Sequence, residues 1–315
     1  MTQHTESARI GATVREPGNS GQLDLFIHSR AVILTNDAIN ALLAREAAQA
    51  SACVGRLRAE VPQCGTLNAL ETLSRALSEW PLRTTRPAEI AAAVEWIEGE
   101  VHPAALAAMG SKATDFMRPF WHDLAHEARL HAYDATFPQA FCVGLYLRSG
   151  DVLAAATTAE SIPDWERNAD ALHWLAVARY RIDGLDTCLA PLLRFALLAP
   201  QHLSKAVAEI GDPLLQRDWS AFQSTCDWLD PADETAGAWF PAWYLVEHPG
   251  VRIGADDATS SPATHAAQTF FAIARLLELE RRGYSAALIS SRRRLRDLAP
   301  EMFGFYMARR DVGHR

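Results

Sequence analysis

A chain of 315 residues with 49% hydrophobic side chains can hold one extended repeat array or two ordinary domains, and it can bury a substantial core. Its formal net charge of −8 lacks the basic surface that displaces counterions from phosphates, so nucleic acid is not an expected partner. No apolar run is long enough to cross a bilayer and residues 1–21 contain no apolar secretion core, so the sequence predicts a cytoplasmic protein with no membrane partner.

Alanine, leucine, arginine and glutamate dominate and β-branched runs are scarce, which favours helix throughout. An all-α protein is expected. The cysteines Cys53, Cys64, Cys142, Cys188 and Cys226 are odd in number and widely spaced, with no C-x-x-C pair. That pattern suggests neither a disulfide framework nor a thiolate zinc site. Cys142 and Cys188 read as small buried apolar residues.

In chain order, residues 1–22 are polar and glycine-containing and are expected to form a disordered tail. Leu23, Leu25, Phe26, Val32, Ile33 and Leu34 announce the first packed element, with Asn36 or Asp37 as the N-cap of a following helix through Ile39 and Leu43. A second helix is predicted from about Ala47 to Ala59, ended by Pro62. Leu67, Leu70, Leu73 and Leu77 mark a third, stopped at Trp80-Pro81. Thr85 and Pro87 start a helix through Ile90, Val94 and Ile97, Gly110 closes an alanine-rich piece after Pro103, and Pro119 is expected to open the next helix. Residues 23–135 thus form an N-terminal helical region.

Residues 136–200 hold two similar units, in which Tyr146 and Gly150 recur 34 positions later as Tyr180 and Gly184. Each unit reads as helix, glycine turn, helix and closing proline, at Pro163 and Pro200. Residues 201–262 form an irregular, tryptophan-rich helical insert, broken at Gly211-Asp212-Pro213, looped over 230–237 and connected onward by 249–262. Residues 263–315 restore the pattern as a repeat unit with Gly283 and Pro300, followed by a capping helix. The turn-to-proline interval is 17 residues from Gly283 to Pro300, 16 from Gly184 to Pro200, and 17 from Arg45 to Pro62. Arg45 therefore takes a glycine's place at a turn.

The 34-residue step, the aromatic four residues before the turn glycine, the small residues Ala155, Ala156, Ala286 and Ala287 in the second helices, and the closing proline resemble tetratricopeptide repeats. Where that family has a small residue about three before the aromatic, this chain has Val143 and Val177. The resemblance implies an α-α solenoid of antiparallel helix pairs whose first helices line a surface for a protein or peptide partner. In this chain that surface would draw on Phe137 and Ala140, on Trp174, Ala178 and Arg181, and on Phe270, Ile273 and Leu277. Large apolar side chains on such helices are more often packing residues.

Three constellations stand apart. His122 and His126 lie i, i+4 on one helical face, the spacing of a two-histidine metal site, although Asp123 stands where the zinc motif has glutamate and His131 lies off that face. Arg292, Arg293 and Arg294 form a cationic cluster, suited either to an acidic partner or to a solvated helix face. Trp239, Phe240, Trp243 and Tyr244 read as a core seam or an interface. No nucleophile elbow, phosphate loop or dinucleotide turn is present, so no cofactor is expected. The reading that follows is a non-catalytic interaction scaffold, monomeric or homodimeric. Its alternative is a metal-dependent or small-molecule enzyme using the His122 and His126 face.

Overall fold

The computed structural model describes residues 20–81, 86–226, 228–229, 233, 235–252 and 264–312. Within them every regular element is helical: α1 (Ser20–Leu43), α2 (Ala47–Glu60), α3 (Leu67–Glu79), α4 (Pro87–Trp96), α5 (His102–Met109), α6 (Ala113–Ala128), α7 (Cys142–Ser149), α8 (Val152–Glu160), α9 (Ala169–Asp183), α10 (Leu185–Leu198), α11 (Leu203–Ile210), α12 (Pro213–Thr225), α13 (Phe240–Glu247), α14 (His265–Arg282), α15 (Ala286–Leu298) and α16 (Pro300–Val312). No described helix is long and apolar enough to cross a membrane. The predicted tail over residues 1–19 and most of the 249–262 connection lie outside the described residues, as does much of the 230–237 loop.

Two compact units divide the chain. One comprises residues 1–83 and 95–117, the other residues 84–94 and 118–315. In the first, α1 and α2 form a hairpin turned at Arg45, whose φ of 58° is a conformation that costs a residue with a Cβ. Arg45 thus occupies the glycine role that the spacing to Pro62 predicts. The tail and the cap at Asn36 or Asp37 require correction, because α1 already includes residues 20–22 and runs unbroken to Leu43. Leu34, Ala38, Ala41 and Leu42 form its buried stripe, so the polar Asn36 and Asp37 simply face out, whereas Val32 and Ile33 are exposed.

Proline placement gives a second group of corrections. Pro119 does not open a helix but sits inside α6, as Pro191 does inside α10. A mid-helix proline costs about 3 kcal/mol through its missing N–H and ring clash. Phe116, Met117, Phe120, Trp121 and Leu124 are all buried on α6. At about 1.5–3 kcal/mol for each large side chain, their burial outweighs the penalty. Before Pro103 a single π turn over Ile97–Val101 widens the backbone. A π turn is one way a helix absorbs a carbonyl deprived of its usual donor.

The second unit is a succession of helical hairpins. The turns are Gly150 between α7 and α8 (φ 87°), Gly184 between α9 and α10 (φ 84°), Gly211 between α11 and α12 (φ 72°) and Gly283 between α14 and α15 (φ 98°). Gly184 has ψ −163°, a region open essentially to glycine alone. Helix starts are fixed by side-chain caps: Asp151 accepts from Ala154 N–H, and Asp212 from Leu214 and Leu215 N–H. Successive helices pack on their chain neighbours, α7 on α8, α8 on α9, α9 on α10, and α14 on α15. The exception is α13, which packs against α10, α12, α14 and α16 at once. Phe240 to Val246 are buried without a break, the pattern of a helix enclosed on all sides. The stretch that reads as an insert is the centre of this unit's core.

Candidate functional site

The first helices of three consecutive hairpins, α7, α9 and α11, bring together the most distinctive surface chemistry of the second unit. Trp174 on α9 is half-buried and stacks on Phe141 at the start of α7, with ring centroids 5.9 Å apart. Tyr133, in the segment before α7, meets both rings edge-on at 5.4 and 6.1 Å. Gly144 makes room for this stack, since a methyl there would come within 3.5 Å of Trp174 Nε1 and 3.2 Å of an Arg148 guanidinium nitrogen. Gly144 and Ala178 are one 34-residue step apart, so the small residue of the repeat stands one position after Val143 and Val177.

Charge follows the aromatics along the same helices. Arg181, two helical turns beyond Trp174, donates from Nη1 to the Leu147 carbonyl at 2.8 Å, a bond that spans 34 residues and ties α9 to α7. Arg148 lies over the Trp121 ring at 5.4 Å. On α11, Glu209 Oε2 is 3.1 Å from His173 Nε2, an ion pair when the imidazole is protonated although off the line of a hydrogen bond. The Glu209 carboxyl is held below its ordinary range chiefly by that contact, with Arg181 and Arg148 adding to the pull. His173 in turn stacks on Phe195 at 5.3 Å. The repeated tyrosine serves the next hairpin, because Tyr180 donates to the Asp212 cap at 3.2 Å.

Burial pushes the Tyr133 phenol from 10.0 up to about 12, and the 2.6 Å bond that it donates to Asp170 adds to the rise. A folded state that keeps this proton longer than the unfolded chain is favoured fully below about pH 10 and loses that advantage between about pH 10 and 12. Tyr133→Phe is therefore expected to flatten part of the alkaline decline in stability. Melting midpoints at about pH 8, 10 and 11.5 test this, and an unchanged slope would remove Tyr133 from the account. Tyr146, Tyr180, Tyr244 and Tyr306 are raised in the same direction and sustain the remainder.

Of the residues singled out from sequence, Trp174 and Arg181 come together on this face. Phe137 is half-buried at the turn before α7. Phe270, Ile273 and Leu277 lie in the core, 1%, 0% and 3% exposed, so the surface role expected for them is corrected to packing. Trp243 is likewise core, which decides between seam and interface in favour of the seam. Trp239 is half-buried, edge-on to Trp228 at 5.0 Å and to His265 at 5.2 Å. Arg292 is occupied internally by Glu280 and Tyr306, whereas Arg293 faces solvent. His122 and His126 are exposed on α6, with His122 Nδ1 3.8 Å from Asp123 beside an open depression edged by Arg118, Ser149 and Asp151. Among the described residues no group of three or more histidine, cysteine, aspartate or glutamate side chains could hold a metal ion.

Sequence reasoning missed Tyr133, Phe141, Arg148, His173 and Glu209. The 34-residue step relates Gly144 to Ala178 and Leu147 to Arg181 and so sets α7 and α9 in register, but it reaches none of these five. Glu209 and His173 carry no such periodic signal. The chain matches no protein family, no curated relative and no solved structure.

Proposed function

We propose that the chain is a non-catalytic helical-repeat interaction module, resembling the tetratricopeptide class, that holds a peptide segment of a partner protein along α7, α9 and α11. The observation that carries this reading is the pair of half-buried rings Tyr133 and Trp174, packed on the buried Phe141 and continuous with Arg148, Arg181 and Glu209 on α7, α9 and α11. Aromatic anchors beside charged groups supply the burial and the orientation that peptide recognition needs. Hairpins with left-handed turns, capped second helices and a 34-residue step add support from architecture, which is only a prior on function.

The test is affinity capture with the full chain, followed by mass spectrometry. Trp174→Ala and Arg181→Ala serve as paired controls, with melting curves showing that each still folds. One stoichiometric partner is expected, and its binding is expected to weaken by tenfold or more, roughly, in Trp174→Ala. A partner retained undiminished by both variants would place the interface elsewhere. A stoichiometric metal or metabolite with no captured protein would overturn the reading.

A further inference from the structure

Away from the α7–α9–α11 face, a cavity of about 480 Å³ opens between α12, the turn before α11 and the segment leading into α13. Its floor is aromatic. Trp219 and Phe222 stack at 5.4 Å and 29°, and both rings meet Phe240 edge-on behind them. The far walls touch directly at Gly237, where a Cβ would stand 2.6 Å from the Pro200 carbonyl oxygen. That approach requires glycine and holds the two loops together at one end of the cavity. The volume falls within the range of small-molecule sites, roughly 300–1,000 Å³.

The carboxylate of Asp233 and the imidazole of His202 are the ionisable groups among the described charged and histidine lining residues. Among the described lining residues there is no lysine or arginine, and none occurs anywhere in the sequence from Asp218 to Val251. Asp233 lines the cavity, and its Oδ1 is fixed by the Thr235 N–H at 2.8 Å and the Thr235 hydroxyl at 2.7 Å. These bonds hold the carboxyl below its ordinary range, so it is ionised at neutral pH. A phosphate or carboxylate ligand would find no lysine or arginine on the described lining, only the His202 imidazole. A positive group would find a fixed carboxylate and an indole face, the two partners that attract organic cations.

We propose that this cavity binds an organic cation with a flat aromatic body, the body lying on Trp219 and Phe222 and the ammonium group directed to Asp233. The site is separate from the peptide-binding reading and stands or falls without it.

Three probes with one bicyclic body test the idea on the full chain: tryptamine, indole and indole-3-acetate, each followed by saturation-transfer NMR and titration. Tryptamine is expected to bind about fivefold more tightly than indole, and indole-3-acetate more weakly than either. Asp233→Asn, which keeps the turn geometry, is expected to bring tryptamine and indole to the same affinity. Ser204→Trp fills the cavity from an exposed wall position and is expected to abolish binding of all three, and Trp219→Ala is expected to do the same. Indole-3-acetate binding as well as tryptamine, a cation preference that survives Asp233→Asn, or binding undiminished in a folded Ser204→Trp would each overturn the proposal. So would the absence of saturation transfer to all three probes at millimolar concentration.

Discussion

Replacing Trp243 with alanine is expected to destabilise the second unit by about 3–5 kcal/mol, the cost of emptying a large aromatic site that the surroundings refill only in part. Trp243 is 1% exposed. Its ring stacks on Phe240 at 5.9 Å and on Phe305 at 6.3 Å, and it meets Phe222 edge-on at 5.8 Å. It therefore joins α12, α13 and α16 through one side chain. For a unit of this size the loss corresponds to a fall of roughly 10 °C or more in melting temperature. A second variant separates packing from polarity. The indole Nε1 is buried with no hydrogen-bond partner, and a buried unsatisfied donor costs about 1–3 kcal/mol. Trp243→Phe gives up ring volume but also removes that donor, so its net cost is expected to be less than half that of Trp243→Ala. Urea denaturation followed by circular dichroism measures both. Equal costs for the two variants would mean that the N–H is satisfied in solution and that volume alone matters.

The enclosure of α13 also explains what the sequence could and could not disclose. Hairpin turns are local events, set by a positive φ at one residue and a cap one or two residues later. They were legible at Gly150, Gly184 and Gly283, and even at Arg45, where no glycine is present. Helix interiors obey longer-range terms. Asn36 and Asp37 look like caps, and Pro119 looks like a start, to any reading confined to a few neighbours. Burial of Leu34, Ala38 and Leu42 in one case, and of Phe116, Phe120 and Trp121 in the other, overrides those preferences. An aromatic block such as Trp239 to Tyr244 is ambiguous for the same reason, because composition reports how much a segment can bury and topology decides what buries it. The candidate surface was legible only where periodicity reached it. Trp174 and Arg181 fall on the repeated helix, whereas Glu209 and His173 meet through a contact between α9 and α11 that no spacing encodes.

The same distinction governs the arginine-rich helix near the C-terminus. Removing Glu280 is expected to loosen this region more than removing any of its arginines. On α14, Glu280 accepts from the Tyr306 hydroxyl and, at 2.9 Å, from Arg292, while Arg310 lies 2.9 Å from its other oxygen. Arg292 also donates from Nε to the Tyr306 oxygen at 3.1 Å, and both guanidinium groups lie over the Tyr306 ring, at 5.7 and 5.3 Å. One carboxylate thus connects α14, α15 and α16. The connection matters because α15 buries only Leu288 and Leu295 and has little apolar area of its own to hold it. Glu280→Ala leaves two cations and a fully buried hydroxyl without their common acceptor. Breaking a fully buried pair costs about 3–5 kcal/mol. Arg292 is about a third exposed, so about 2–3 kcal/mol is the expected loss here. Glu280→Gln keeps an acceptor for Tyr306 while discarding the charge, and should fall between that value and the wild type. Arg292→Ala should cost less than Glu280→Ala, because Glu280 retains Arg310 and Tyr306. Hydrogen exchange locates the effect: in Glu280→Ala, protection should fall first in the amides of α15 and α16 while α13 stays protected. If α15 keeps its protection, the thin stripe of Leu288 and Leu295 holds that helix unaided, and the arginines around it are a solvated face and nothing more.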